Sequence, residues 1–82
     1  MATTGTVRFW HADLGWGVLD ATETPGGCFA HYTQIQADAD MAARGFRTLS
    51  DGQPVEFTWE QYPQDGYEFR VIAVWPATAV QG

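Results

Sequence analysis

The chain has 82 residues, room for one small domain with a thin core. Ten acidic residues against four arginines and no lysine give a formal net charge of −6, which taken alone argues against a polyanionic partner. The single cysteine, Cys28, excludes an internal disulfide framework, and no apolar run is long enough to span a membrane or opens as a secretory signal, so a cytoplasmic protein is expected.

Five segments read as strands. "GTVRFWHAD" (5–13) is rich in β-branched and aromatic residues and runs out before Gly15. "WGVLD" (16–20) follows after a tight turn around Leu14-Gly15. "ETPGG" (23–27) is a turn signal, and "CFAHY" (28–32) alternates Phe29 and His31 on one face with Cys28 and Ala30 on the other. The stretch 33–46 breaks the strand rhythm. Ala37 to Arg44 are good helix formers, Asp38 can cap them and Gly45 can end them, so a short helical turn or a long loop is expected there. "QPVEFTWEQ" (53–61) alternates Val55, Phe57 and Trp59 with polar residues, and "YPQDG" (62–66) turns into the last strand, "YEFRVIAVW" (67–75). Residues 1–76 form the domain and 77–82 a flexible tail. Short strands punctuated by turn residues, with little helix, predict an all-β, five-stranded antiparallel Greek-key barrel with one long, partly helical loop. Val7, Leu19, Ile35, Leu49, Val55, Phe57 and Val71 read as its core, with Cys28 a small core residue.

Twelve aromatic residues exceed what so thin a core requires, so some belong on the surface. Trp16 stands between Gly15 and Gly17. In a strand Trp16 and Val18 share one face while Gly17 points to the other, where the absence of a side chain lets a barrel wall curve. Phe9 and His11 share a face of the first strand, with Arg8 and Trp10 beside them, and Phe29 and His31 have the same spacing in the third. If these strands are neighbours, Phe9, Trp16, Val18, Phe29 and His31 make one outer patch. Single-stranded nucleic acid needs such a platform, because bases stack on rings whatever their sequence. The alternative for Trp16 is a ring packed under the long loop or against a second copy. Trp59, Phe69 and Trp75 either enlarge the core or make a second patch, and core plus strand-pair packing is the preferred reading.

The same residues resemble a known family, the bacterial cold-shock proteins or cold-shock domains. "GTVRFWHAD" is similar to the family opening G-x-V-K-W-F-N-x-x, and "LGWGVL" (14–19) to its first RNA-binding motif, K-G-[FY]-G-F-I. "CFAHY" resembles the second motif, V-F-V-H-F, and "GFRTLSDGQPVEF" (45–57) the later G-[FY]-[KR]-[ST]-L-x-x-G-Q-x-V-x-F. These stretches keep the family order over most of residues 5 to 74. The resemblance implies an OB-fold barrel that binds single-stranded RNA or DNA, as an RNA chaperone or regulator of gene expression. Carried over position by position, the implied contacts are Arg8, Phe9, Trp10, Trp16, Phe29, His31, Tyr32 and Phe46. The chain departs from the pattern at Leu14 and Val18, where the family has a lysine and a phenylalanine, and at Gly27, where it has an acidic residue.

No catalytic group is expected, since no serine or cysteine has a base and orienter and no carboxylates form an acid–base pair. His11 and His31 lack the companions of a metal site, so neither metal nor cofactor is expected. The partner is single-stranded RNA or DNA, and the chain is a monomer or a dimer that swaps strands across 33–46. The rival reading is a diverged barrel with weakened nucleic-acid binding that serves as a protein-interaction module, which Leu14, Val18 and the acidic balance favour.

Overall fold

The computed structural model describes residues 2–36 and 47–77. The strands are β1 (Thr3–His11), β2 (Trp16–Asp20), β3 (Cys28–His31), β4 (Pro54–Gln64) and β5 (Tyr67–Pro76). They close into a barrel in the order β1-β2-β3-β5-β4, with β4 returning to β1. The five-stranded barrel expected from the sequence is therefore present, with one difference. β3 and β5 run parallel, through Cys28 opposite Phe69 and Phe29 opposite Arg70, while the other four joins are antiparallel. Among the described residues there is no α-helix. Tyr32, expected at the end of the third strand, instead starts a 3-10 turn, Tyr32–Gln34. The helical stretch expected over Ala37–Arg44, the aromatic Phe46 and tail residues 78–82 lie outside the described residues.

A bulge in β1 sets the geometry of the whole wall. Val7 pairs with Leu19 and Phe9 with Val18, so Arg8 is an extra residue on β1. An extra residue reverses the in–out parity of the strand beyond it. Val7 and Trp10, three apart, thus both face the core, while Arg8, Phe9 and His11 face out. The bulge also leaves backbone donors off the ladder. The 50–53 turn satisfies them, with the Trp10 N–H donating to Asp51 Oδ1 at 2.8 Å and the Val7 N–H to the Gln53 carbonyl at 2.9 Å.

The core consists of Val7, Trp10, Leu19, Cys28, Ala30, Ile35, Leu49, Val55, Phe57, Phe69, Val71 and Val74. All seven aliphatic and aromatic core residues expected from the sequence are among them, and so is Cys28, whose thiol burial pushes up to about 12. The indole of Trp10 lies over Gly17, where a Cβ would collide with that ring and with the Phe9 carbonyl. Glycine at 17 is what lets the largest core side chain fit under β2.

The β4/β5 hairpin is longer than the sequence suggested, because β4 runs to Gln64. Asp65 and Gly66 turn it with φ of 54° and 89°, the pair of positive angles that a two-residue hairpin turn uses. Of the three surplus aromatics, Phe69 is buried and Trp59 packs beside it edge-on at 5.2 Å, with its indole N–H donating to Thr3 Oγ1 at 3.0 Å. Both therefore enlarge the core, as preferred. Trp75 does not; it is exposed on the hairpin, as is Ile72.

Candidate nucleic-acid interface

Strand register decides which side chains meet on the outer wall. Phe9 on β1 is opposite Val18 on β2, Val18 is opposite Phe29 on β3, Phe29 is opposite Arg70 on β5, and Arg70 is opposite Glu60 on β4. Those five positions form one lateral row. A second row runs His11, Trp16, His31 across β1, β2 and β3. Partnered residues in a sheet point to the same face, about 5 Å apart, so the two rows make one continuous surface.

The rings on it touch. Trp16 stacks on Phe29 with centroids 5.5 Å apart and planes 23° from parallel, and it meets His11 at 4.9 Å and Phe9 at 5.7 Å edge-on. Phe9 and His11 are 4.9 Å apart. The structure thus brings Phe9, Trp16 and Phe29 together as expected and adds His11, whose two-residue spacing from Phe9 was its only sequence signal. His31 takes part through its Nδ1, which accepts from the Thr33 N–H, while Gln34 Oε1 accepts from the His31 N–H. These bonds cap the 3-10 turn and fix the imidazole at the end of the second row. Tyr32 is exposed beyond it, 4.7 Å from His31, with its ring against Gly15 and its N–H donating to the Gly15 carbonyl.

Two of the expected positions lie deeper than the others. Trp10 is 8% exposed and belongs to the core, because the Arg8 bulge turns it inward. Phe29 faces outward but is only 6% exposed, since Trp16 lies across it. Val18 is likewise on the outer face, between Phe9 and Phe29 in the row, and is fully buried there with Gly27 close against it. The outer wall is therefore two layers deep where Trp16 lies on Phe29, with Phe9 and His11 set edge-on beside Trp16.

The two arginines described on this wall, Arg8 and Arg70, are already partnered. Arg8 donates to Asp20 from Nε and from the guanidinium tip, at 3.1 and 2.6 Å, and those hydrogen bonds hold it still more firmly protonated. Arg70 Nε donates to Glu60 Oε2 at 2.5 Å, and its guanidinium carbon is 3.7 Å from the centre of the Tyr62 ring. Leu14, at the turn beside the rings, is 64% exposed. The surface is thus aromatic and close to charge-neutral, suited to stacking more than to holding phosphates. Among the described residues no group of three His, Cys, Asp or Glu side chains is placed to hold a metal ion, and no helix is long and apolar enough to cross a membrane.

Comparison with known proteins adds a family. The model of the 'Cold-shock' DNA-binding domain matches residues 3–71. Among curated proteins, the chain is 36% identical over 73 residues to a cold shock-like protein CspA of Shewanella violacea, covering 89% of this chain and 96% of that one. It is 41% identical over 71 residues to a cold shock-like protein CspD of Vibrio cholerae, covering 87% and 86%. A probable cold shock protein A of Mycolicibacterium smegmatis is 38% identical over 60 residues, covering 73% and 81%.

Proposed function

This chain belongs to the cold-shock domain family, and on that premise we propose that it binds single-stranded RNA or DNA by stacking bases on the Phe9–His11–Trp16 layer, acting as an RNA chaperone. The observation that carries this reading is the contiguous set of rings on two adjacent rows of one barrel face, each within 5.7 Å of the next. Trp16 offers the plane turned away from Phe29. Phe29 acts from below, holding that plane at a fixed height and tilt. His31 and Tyr32 border the patch, and Arg8 stands at its β1 end. A base on such a layer cannot also stack in a duplex, so binding draws paired strands toward the single-stranded state without ATP. No catalytic step is part of this reading.

The test is tryptophan fluorescence during titration with oligo-dT and oligo-U of about seven nucleotides, a length within the site size of such barrels. Saturable quenching is expected in the native chain and its loss in Trp16→Ala, which leaves Trp10, Trp59 and Trp75 as unresponsive reporters. Quenching that survives in Trp16→Ala would place the bases elsewhere. The competing reading, a protein-interaction barrel, draws on exposed Leu14 and on Ile72 and Trp75, 54% and 39% exposed on the hairpin. Absence of quenching even at low salt would favour it.

A further inference from the structure

We infer that the stacking surface continues past Phe29 to a further nucleobase subsite, formed by the guanidinium plane of Arg70 on the Tyr62 ring. This rests on the functional reading above and extends it by one position. Register gives the first reason. Arg70 is the partner of Phe29 across the β3/β5 join, so it is the next position in the row that begins Phe9, Val18, Phe29. A strand lying along that row meets Arg70 one strand spacing beyond Phe29, about 5 Å away.

Preorganisation gives the second. The guanidinium is held on two sides, with Glu60 fixing Nε and Tyr62 lying under Cζ at 3.7 Å. A flexible arginine loses much entropy on ordering; this one is ordered before any ligand arrives. Electrostatics gives the third. Glu60 offsets the charge of Arg70, leaving a flat, polarisable plane and not an open cation, and planar guanidinium groups stack on bases as rings do. Tyr62 is 50% exposed and the Arg70 and Glu60 side chains are 34% and 41% exposed, so the pair is reachable without unfolding anything. Neither Tyr62 nor Arg70 lies within the stretches that resemble the two RNA-binding motifs.

The experiment measures affinity for oligo-dT of increasing length, at several salt concentrations, for the native chain, Arg70→Lys, Arg70→Gln, Tyr62→Ala and Tyr62→Phe. In the native chain one added nucleotide tightens binding by about tenfold, the size of one stacked base. Arg70→Lys keeps the charge and loses the plane, and Tyr62→Ala loses the support, so both erase that step without changing affinity for the shorter oligonucleotides. Tyr62→Phe retains it. A step that persists in Arg70→Lys and Tyr62→Ala overturns the subsite. So does a phosphate-type result, in which Arg70→Lys is silent and Arg70→Gln only flattens the salt dependence. Trp16→Ala separates the two levels: if it leaves affinity for the short oligonucleotides unchanged, the functional reading itself has failed, whereas its weakening of that affinity together with a length step that persists in Arg70→Lys and Tyr62→Ala rejects the subsite alone.

Discussion

Salt dependence is the most direct probe of how this surface binds. Each phosphate neutralised on a single strand contributes about −0.7 to the slope of log affinity against log salt. The chain has four arginines and no lysine, and two of the four, Arg8 and Arg70, are committed to Asp20 and Glu60. If both pairs persist in the complex, at most Arg44 and Arg47 reach phosphates, and the slope is about −1.4. Affinity then falls about sevenfold between 50 and 200 mM salt. All four arginines acting together would give about −2.8 and a fall of about fiftyfold. Asp20→Asn separates these cases, because it releases Arg8 while leaving Phe9, Trp16 and Phe29 in place. Its slope should steepen to about −2.1, with tighter binding at low salt. The assay is fluorescence titration with oligo-dT at fixed pH and four salt concentrations. A native slope near −2.8, or an Asp20→Asn slope equal to the native one, would refute the view that paired arginines stay paired and that stacking dominates.

Four further outcomes test other parts of the structure. Trp16→Ala should lower affinity for single strands by about 1–3 kcal/mol while moving the denaturation midpoint little, since Trp16 lies outside the core. Trp10→Ala should instead cost about 3–5 kcal/mol of stability in denaturant titrations, and an equal loss from Phe9→Ala would show that the bulge does not set the parity claimed for it. Gly17→Ala should destabilise by about 1–3 kcal/mol through overpacking against Trp10, read from the same titrations. The buried Cys28 thiol has a pH signature as well. Its pKa is raised in the folded chain to about 12 from an ordinary 9.0, so the unfolded chain releases the proton first. The stability it contributes is complete below about pH 9 and is lost toward pH 12 at up to about 1.4 kcal/mol per unit, and Cys28→Ala should remove that component.

The strands and core were legible because alternation and turn residues carry them locally. Val55 and Phe57 alternate with polar residues, Asp65-Gly66 marks its own turn, and Cys28 and Ala30 leave only one side for Phe29 and His31. The outer placement of Phe9 was also expected, yet strict alternation from a buried Val7 would have turned Phe9 inward and Trp10 outward. The bulge at Arg8 resolves this, and no residue type announces it, because it depends on pairing with β2 and on Asp51, 41 positions away from Trp10. Phe29 was placed on the correct face, but its covering by Trp16 depends on one side-chain conformation meeting another. The Arg70–Tyr62–Glu60 group was illegible for the same reason: it joins β4 and β5 side chains that become part of the surface only through the parallel β3/β5 join.

That join is the shortest of the five in the barrel, with two residue pairs against eight for β4 and β5. A closed wall opens where it is least stitched, so local fluctuations should begin between Phe29 and Arg70 and show as the fastest amide exchange within the strands. A ligand gripping both sides of that seam would act as a clasp. Its binding energy would then be felt as rigidity of the whole cylinder, and the protein's mechanical weak point would be the place its ligand reinforces.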